Sequence, residues 1–149
     1  IIPCSKASNR GFTLVEAVIS LGIFSIVVII FAGSIVMAEK ASHVNGQYAQ
    51  AISLCQHKID QMRAVGYGRL NYTELSEAPI IDESPFSQPF SFTLVDEVAS
   101  YLPEPTTSIT IEDIDLKTRR VSVSTTWKPA AHKNKTNTVT LTAIIANVE

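Results

Sequence analysis

Glu16 is the residue whose surroundings most demand a chemical role, because it is the only charged side chain between Phe12 and Ala38. An ionisable group within an apolar membrane helix costs at least ~2.5 kcal/mol on insertion scales, so it is retained where it does something. The chemistry open to it is that of a carboxylate meeting a cation, each offsetting the burial of the other. The plainer alternative is that Glu16, close to one end of the apolar run, snorkels to the membrane surface.

No other set of residues has a spacing that chemistry would need. His43, His57 and His132 stand far apart, and Cys55 lies two residues from His57, which directs that pair to different faces of a helix. There is no Ser/His/Asp arrangement, glycine-rich phosphate loop or HExxH pair, so the sequence reads as a non-enzyme with no metal or cofactor. Glu112, Asp113 and Asp115 could offer oxygens to calcium, but acids so close together read first as a solvated turn. Lys128, Lys133 and Lys135 with His132 form a basic loop of the same solvated kind. With a net charge of −2, nothing points to nucleic acid.

The element that has to position Glu16 is the apolar run itself. Phe12 to Ala38 exceeds the roughly 20 apolar residues that cross a bilayer as helix. A buried core helix of this composition would need a larger surrounding domain than 149 residues supply. Lys6 and Arg10 precede the run with no acid among residues 1–10, whereas Glu39 and Lys40 cancel each other after it. The positive-inside tendency therefore keeps the N-terminus cytoplasmic and exports the chain beyond Ala38. Cys4 and Cys55 fall on opposite sides of the membrane in this reading, so they do not pair, and Cys55 reads as a small buried thiol.

The residues around the start of the run separate three kinds of export signal. A secretory signal has an apolar stretch of about 7–15 residues ended by a small-residue cleavage site. Here the stretch is longer, and Ala38-Glu39 is a poor site. A lipoprotein signal places its cysteine after the apolar core, whereas Cys4 comes before it. Asn9-Arg10-Gly11 followed by Phe12-Thr13-Leu14-Val15-Glu16 instead resembles the N-terminal motif of type IV pilins and type II secretion pseudopilins. A short basic leader, a Gly before a Phe and a Glu four residues after that Phe carry the likeness.

The resemblance implies cleavage between Gly11 and Phe12 by a prepilin peptidase, which also methylates the new amino group of Phe12. Residues 1–11 would then be a cleaved leader, 12–38 the transmembrane half of a long helix, and 39–149 a periplasmic or extracellular domain. The resemblance gives Glu16 a role in filament assembly as well, where its carboxylate meets the N-terminal amine of a neighbouring subunit and sets axial register. Glycine suits the cleaved position physically, having no side chain to bar a protease cleft.

Periodicity carries the helix beyond the membrane. Ala41, Val44, Tyr48, Ile52, Cys55, Ile59 and Met62 recur at spacings of three and four, which puts them on one face. Gln47, Gln50, Gln56, Lys58, Gln61 and Arg63 occupy the others. The helix is expected from Phe12 to about Val65, ~80 Å at 1.5 Å per residue, with Gly66-Tyr67-Gly68 ending it. Arg69 to Pro89, with Pro79, Pro85 and Pro89, is expected as loop containing a short strand at Ala78 to Ile81. Phe90 to Leu94, Ile109 to Ile111, Val121 to Trp127 and Val139 to Ala146 read as strands, with a turn over Asp113 to Thr118. About four short antiparallel strands with one apolar face would cover the outer half of the helix, giving an α+β, pilin-like fold with one core.

Leu54 to Arg63 at the end of the helix and the late strands Val121 to Trp127 and Val139 to Ile145 resemble those of minor PilV/GspI-like subunits. The C-terminal cysteine pair of many major pilins is absent. The resemblance implies a minor pilin or pseudopilin that helps initiate or cap a type IV pilus or type II secretion pseudopilus. Its partners would be a prepilin peptidase/methyltransferase, other pilin or pseudopilin subunits, an inner-membrane assembly platform and membrane lipid. Its place would be the bacterial inner membrane until assembly. The competing reading is a single-pass membrane-anchored binding or sensor protein that joins no filament and keeps its leader.

Overall fold

The computed structural model describes residues 13–129 and 135–147. Its elements run α1 (Leu14–Val65), a 3-10 turn at Tyr67–Arg69, α2 (Tyr72–Glu77), a second 3-10 turn at Val98–Ser100, then β1 (Thr106–Asp115), β2 (Thr118–Trp127) and β3 (Asn137–Ala146). The chain divides into two compact units, Ile1–Ser42 and His43–Glu149, and α1 contributes to both.

In the first unit α1 is a bare apolar helix, exposed along all its described residues and long and apolar enough to cross a membrane. Three of its serine hydroxyls are satisfied within the helix. Ser20, Ser25 and Ser34 donate back to the carbonyls of Glu16, Leu21 and Ile30 at 2.8, 2.8 and 3.0 Å. A helix of this kind suits lipid, where backbone groups have to be paired internally.

In the second unit the same helix buries Gln47, Ala51, Cys55, Lys58, Ile59 and Met62. This stripe is rotated from the one that apolar periodicity marks out. Val44 and Ile52 are exposed, while Gln47 and Lys58, expected on outer faces, point inward. Each has a partner from far along the chain. Gln47 Oε1 accepts from the Trp127 indole at 3.1 Å, and Lys58 Nζ donates to the Ile80 carbonyl at 2.8 Å and pairs with Asp96. The helix ends at Gly66, which adopts a left-handed φ of 86° and donates its N–H to the Met62 carbonyl.

The sheet has three antiparallel strands in the order β1-β2-β3, one fewer than the expected four or so. Its register aligns Ile109, Val123 and Leu141 in one row and Ile111, Val121 and Ala143 in the next, so one face is apolar. That face, the buried stripe of α1, and Leu75, Phe92, Val98 and Leu102 from the intervening segment form one core. The pilin-like α+β arrangement expected from the sequence is the one present.

Phe90 to Leu94 is not a strand. Phe90 makes a single antiparallel bridge to Ile109. The Phe92 N–H then donates to Thr107 Oγ1 at 2.9 Å, and the N–H groups of Leu94 and Val95 donate to Asp82 Oδ1 at 3.0 and 2.9 Å. Side chains take donors that a ladder would have used, so the chain turns instead. Ala78 to Ile81 likewise forms no strand, and the expected turn over Asp113 to Thr118 narrows to Leu116 and Lys117 because β1 runs on to Asp115. Within the expected loop lies α2, started by Asn71, whose Oδ1 accepts from the Glu74 N–H at 2.9 Å.

Candidate functional site

Thr13 opens α1, its Oγ1 accepting from the Glu16 N–H at 3.3 Å. Glu16 therefore sits in the first turn, where the unpaired N–H groups of the helix end favour an anion. Its carboxylate is exposed and has no hydrogen-bond or ion-pair partner among the described residues. Gly11 and Phe12, the expected cleavage and methylation positions, lie outside the described residues. What the described geometry offers is a carboxylate held outward on an apolar helix, open to a cation from another chain.

The folded unit holds its charges differently. Lys58 has no exposed side-chain surface, and its Nζ lies 2.9 Å from Asp96 Oδ1 and 5.4 Å from the centroid of the Phe92 ring. Asp96 Oδ2 is buried without a partner. Nearby, Asp82 is buried and holds a tight loop. Besides the two backbone donors already named, its Oδ2 accepts from Ser91 Oγ at 2.6 Å, and its own N–H donates to the Ser91 carbonyl at 2.7 Å. These groups fasten the segment from Ile80 to Asp96 onto α1. An open groove of about 320 Å³ beside them is lined by Gln50, Ser53, Leu54, His57, Asp96 and Tyr101.

Cys55 is buried, with its Sγ 3.3 Å from Thr125 Oγ1. Burial pushes its thiol pKa up, and the hydrogen bond to Thr125 opposes this only in part. His57 Nε2 lies 3.1 Å from Gln61 Nε2 on the exposed side of α1, His43 is exposed, and His132 is outside the described residues. Asp113 pairs with Arg119 at 2.7 Å and Glu112 with Arg120 at 3.4 Å, so two of the three clustered acids face arginines across the hairpin. No group of three His, Cys, Asp or Glu side chains is placed to hold a metal among the described residues. In the basic loop Lys128 pairs with Glu104 at 3.0 Å and Lys135 is exposed, while Lys133 lies outside the described residues.

The structure does not bring the candidate residues of the sequence together. Among the described residues Glu16 stands alone on the apolar half of α1, and His43, His57 and the acids at the end of β1 form no common cluster. Sequence reasoning missed Lys58, Asp82, Asp96 and the inward turn of Gln47. It also missed α2, although Asn71 with Glu74 three residues on is a helix-start signal.

Residues 6–32 match the model of the prokaryotic N-terminal methylation motif. The match takes in Gly11, Phe12 and Glu16 and much of the apolar half of α1. No curated protein and no solved structure matches the chain. The motif points to a type IV pilin-like subunit, a structural component. It implies processing by a prepilin peptidase and assembly with other pilin subunits. The long apolar helix is consistent with anchoring in the inner membrane.

Proposed function

We propose that this chain is a minor pilin or pseudopilin, a membrane-anchored subunit that helps initiate or cap a type IV pilus or type II secretion pseudopilus. Its leader, residues 1–11, is removed after Gly11, and Phe12 becomes a methylated N-terminus. Residues 12–38 anchor the chain with its N-terminus cytoplasmic, and residues 39–149 are exported. Glu16 meets the N-terminal amine of a neighbouring subunit in the filament. The observation that carries this reading is the methylation motif placed directly on a helix that is wholly exposed in its apolar half and buried against a sheet further on. A helix so built serves lipid or a filament core at one end and a folded domain at the other.

Support for the minor over the major role comes from the likeness of Leu54 to Arg63 and of the strands Val121 to Trp127 and Val139 to Ile145 to PilV/GspI-like subunits. The test is Gly11→Leu in the native host. A bulky side chain at the cleaved position should leave the leader attached and keep the chain out of filaments. Normal leader removal in that variant would contradict the proposal and favour an anchored protein with an uncleaved span.

A further inference from the structure

The two outer edges of the sheet are treated in opposite ways. The edge of β1 is closed. Phe90 and Ile109 exchange backbone hydrogen bonds at 2.7 and 2.9 Å, Gln88 Oε1 accepts from the Ile111 N–H at 2.7 Å, and a register shift between Asp113 and Asp115 interrupts the far end. Among the described residues the edge of β3 has none of these devices. Its ten residues pair with β2 without a register shift, and none of them is charged, Pro or Gly. Among the described residues no backbone or side-chain group bonds to β3 on the side away from β2.

Sheet edges are ordinarily blunted by charge, proline, bulges or cover, because a row of free N–H and C=O groups is a template for another strand. Val139 and Leu141, on the apolar face at this edge, are only half-buried, and a further strand would complete their cover. We infer that the edge of β3 receives an extended strand from a different protein of the same assembly. That strand is uncharged and alternates apolar side chains on the core side with hydroxyl-bearing ones on the outer side. The alternation is set by the neighbours it must meet: Val139, Leu141, Ala143 and Ile145 on the core face, and Thr138, Thr140 and Thr142 on the outer face. The outer face gives way at its end to the exposed apolar Ile144 and Ala146, so the outer partner there is apolar too.

A second copy of this chain does not fit. Arg119 bonds to the Tyr67 carbonyl and Trp127 to Gln47, so β2 runs against α1 and β3 runs along it. Pairing β3 with its own copy about a twofold axis would be antiparallel, and the two helices would then leave for their membrane anchors at opposite ends. Pairing β3 with a neighbour's β1 is barred because that edge is closed.

This inference rests on the filament-subunit reading. It is tested with the full chain made in its native host, the detergent-extracted material being separated by sedimentation into assembled and free pools. Backbone hydrogen exchange is then read along β3 in each pool. The β3 amides that point away from β2 should exchange at least about tenfold more slowly in the assembled pool. Thr140→Lys with Thr142→Lys, both on the outer face of the sheet, should leave the free chain folded and cut its share of the assembled pool severalfold. Equal exchange in both pools would overturn the inference, as would slow exchange already in the free chain or unimpaired assembly of the lysine variant. If the unaltered chain never enters the assembled pool, the filament-subunit reading itself fails.

Discussion

Nζ of Lys58, on a side chain with no exposed surface, lies 2.9 Å from Oδ1 of Asp96, whose side chain is 15% exposed. The lysine comes from α1 and the aspartate from the segment just before the 3-10 turn at Val98–Ser100, so the contact ties two parts of the chain that no local pattern relates. Desolvating both charges makes such a pair a weak source of net stability. Losing one partner is far more costly than losing both.

The asymmetry of exposure gives a definite order of effects. Asp96→Ala strands a fully buried ammonium and should cost ~3–5 kcal/mol. Lys58→Met leaves a carboxylate on a side chain that is partly exposed, against none for the lysine, and should cost less. Combining the two should recover part of the Asp96→Ala loss. Trp127, buried and the only tryptophan, reports unfolding of this unit by fluorescence in a urea titration of the detergent-solubilised chain. Losses that simply add in the double variant would contradict a coupled pair.

Cys55 makes stability depend on alkaline pH. Burial raises its pKa in the folded chain above that of the unfolded one, so the folded state holds its proton longer. The contribution is fully present below the ordinary thiol pKa of about 8.5 and is lost as pH rises from there through the raised folded value. Other groups titrate in the same window, so the quantity to measure is the difference between the chain and Cys55→Ala. The difference in unfolding free energy should be constant up to about pH 8 and should shrink above it. Rapid reaction of Cys55 with a thiol reagent at neutral pH would contradict its buried, protonated state.

Gly66 ends α1 with a φ of 86°, and a Cβ built there meets no atom within 4 Å. With ψ at 164° this is a conformation almost confined to glycine, so any loss on Gly66→Ala comes from backbone conformation alone and should be about 1–3 kcal/mol. Gly68→Ala, where φ is not left-handed and space is equally open, should be nearly neutral. Urea unfolding of the two variants side by side checks the contrast.

Glu16→Gln keeps the size of the side chain and removes its charge. Leader removal and export should continue, while the share of chain that sediments with filament partners should fall about tenfold or more, the equivalent of ~1.4 kcal/mol. Unchanged sedimentation would remove Glu16 from assembly and return it to a surface-seeking carboxylate.

Much of this fold was legible because its longest elements repeat regularly. The end of α1 at Val65 and the strands ending in Trp127 and Ala146 are dictated by periodicity and by Gly66. The face of α1 was legible only in part, Cys55, Ile59 and Met62 being buried as expected, because burial there is not decided by hydrophobicity alone. Gln47 and Lys58 go inside since Trp127, Ile80 and Asp96 receive them, and those partners are remote in sequence. Phe90 to Leu94 alternates like a strand, yet Asp82 and Thr107 capture its backbone donors with side chains. At the candidate site the position of Glu16 was readable from one charge in an apolar run. The fate of the acidic cluster was not, because the arginines that pair with Asp113 and Glu112 reach them only once the hairpin has formed.

The central claim is that the junction of Gly11 and Phe12 turns a membrane anchor into an assembly element. Intact-mass and N-terminal peptide mass spectrometry of the chain purified from its native membrane measures this directly. The expected product begins at Phe12 and carries one added methyl group on its amino nitrogen. A chain that retains residues 1–11 and has an unmodified Phe12 would contradict the account.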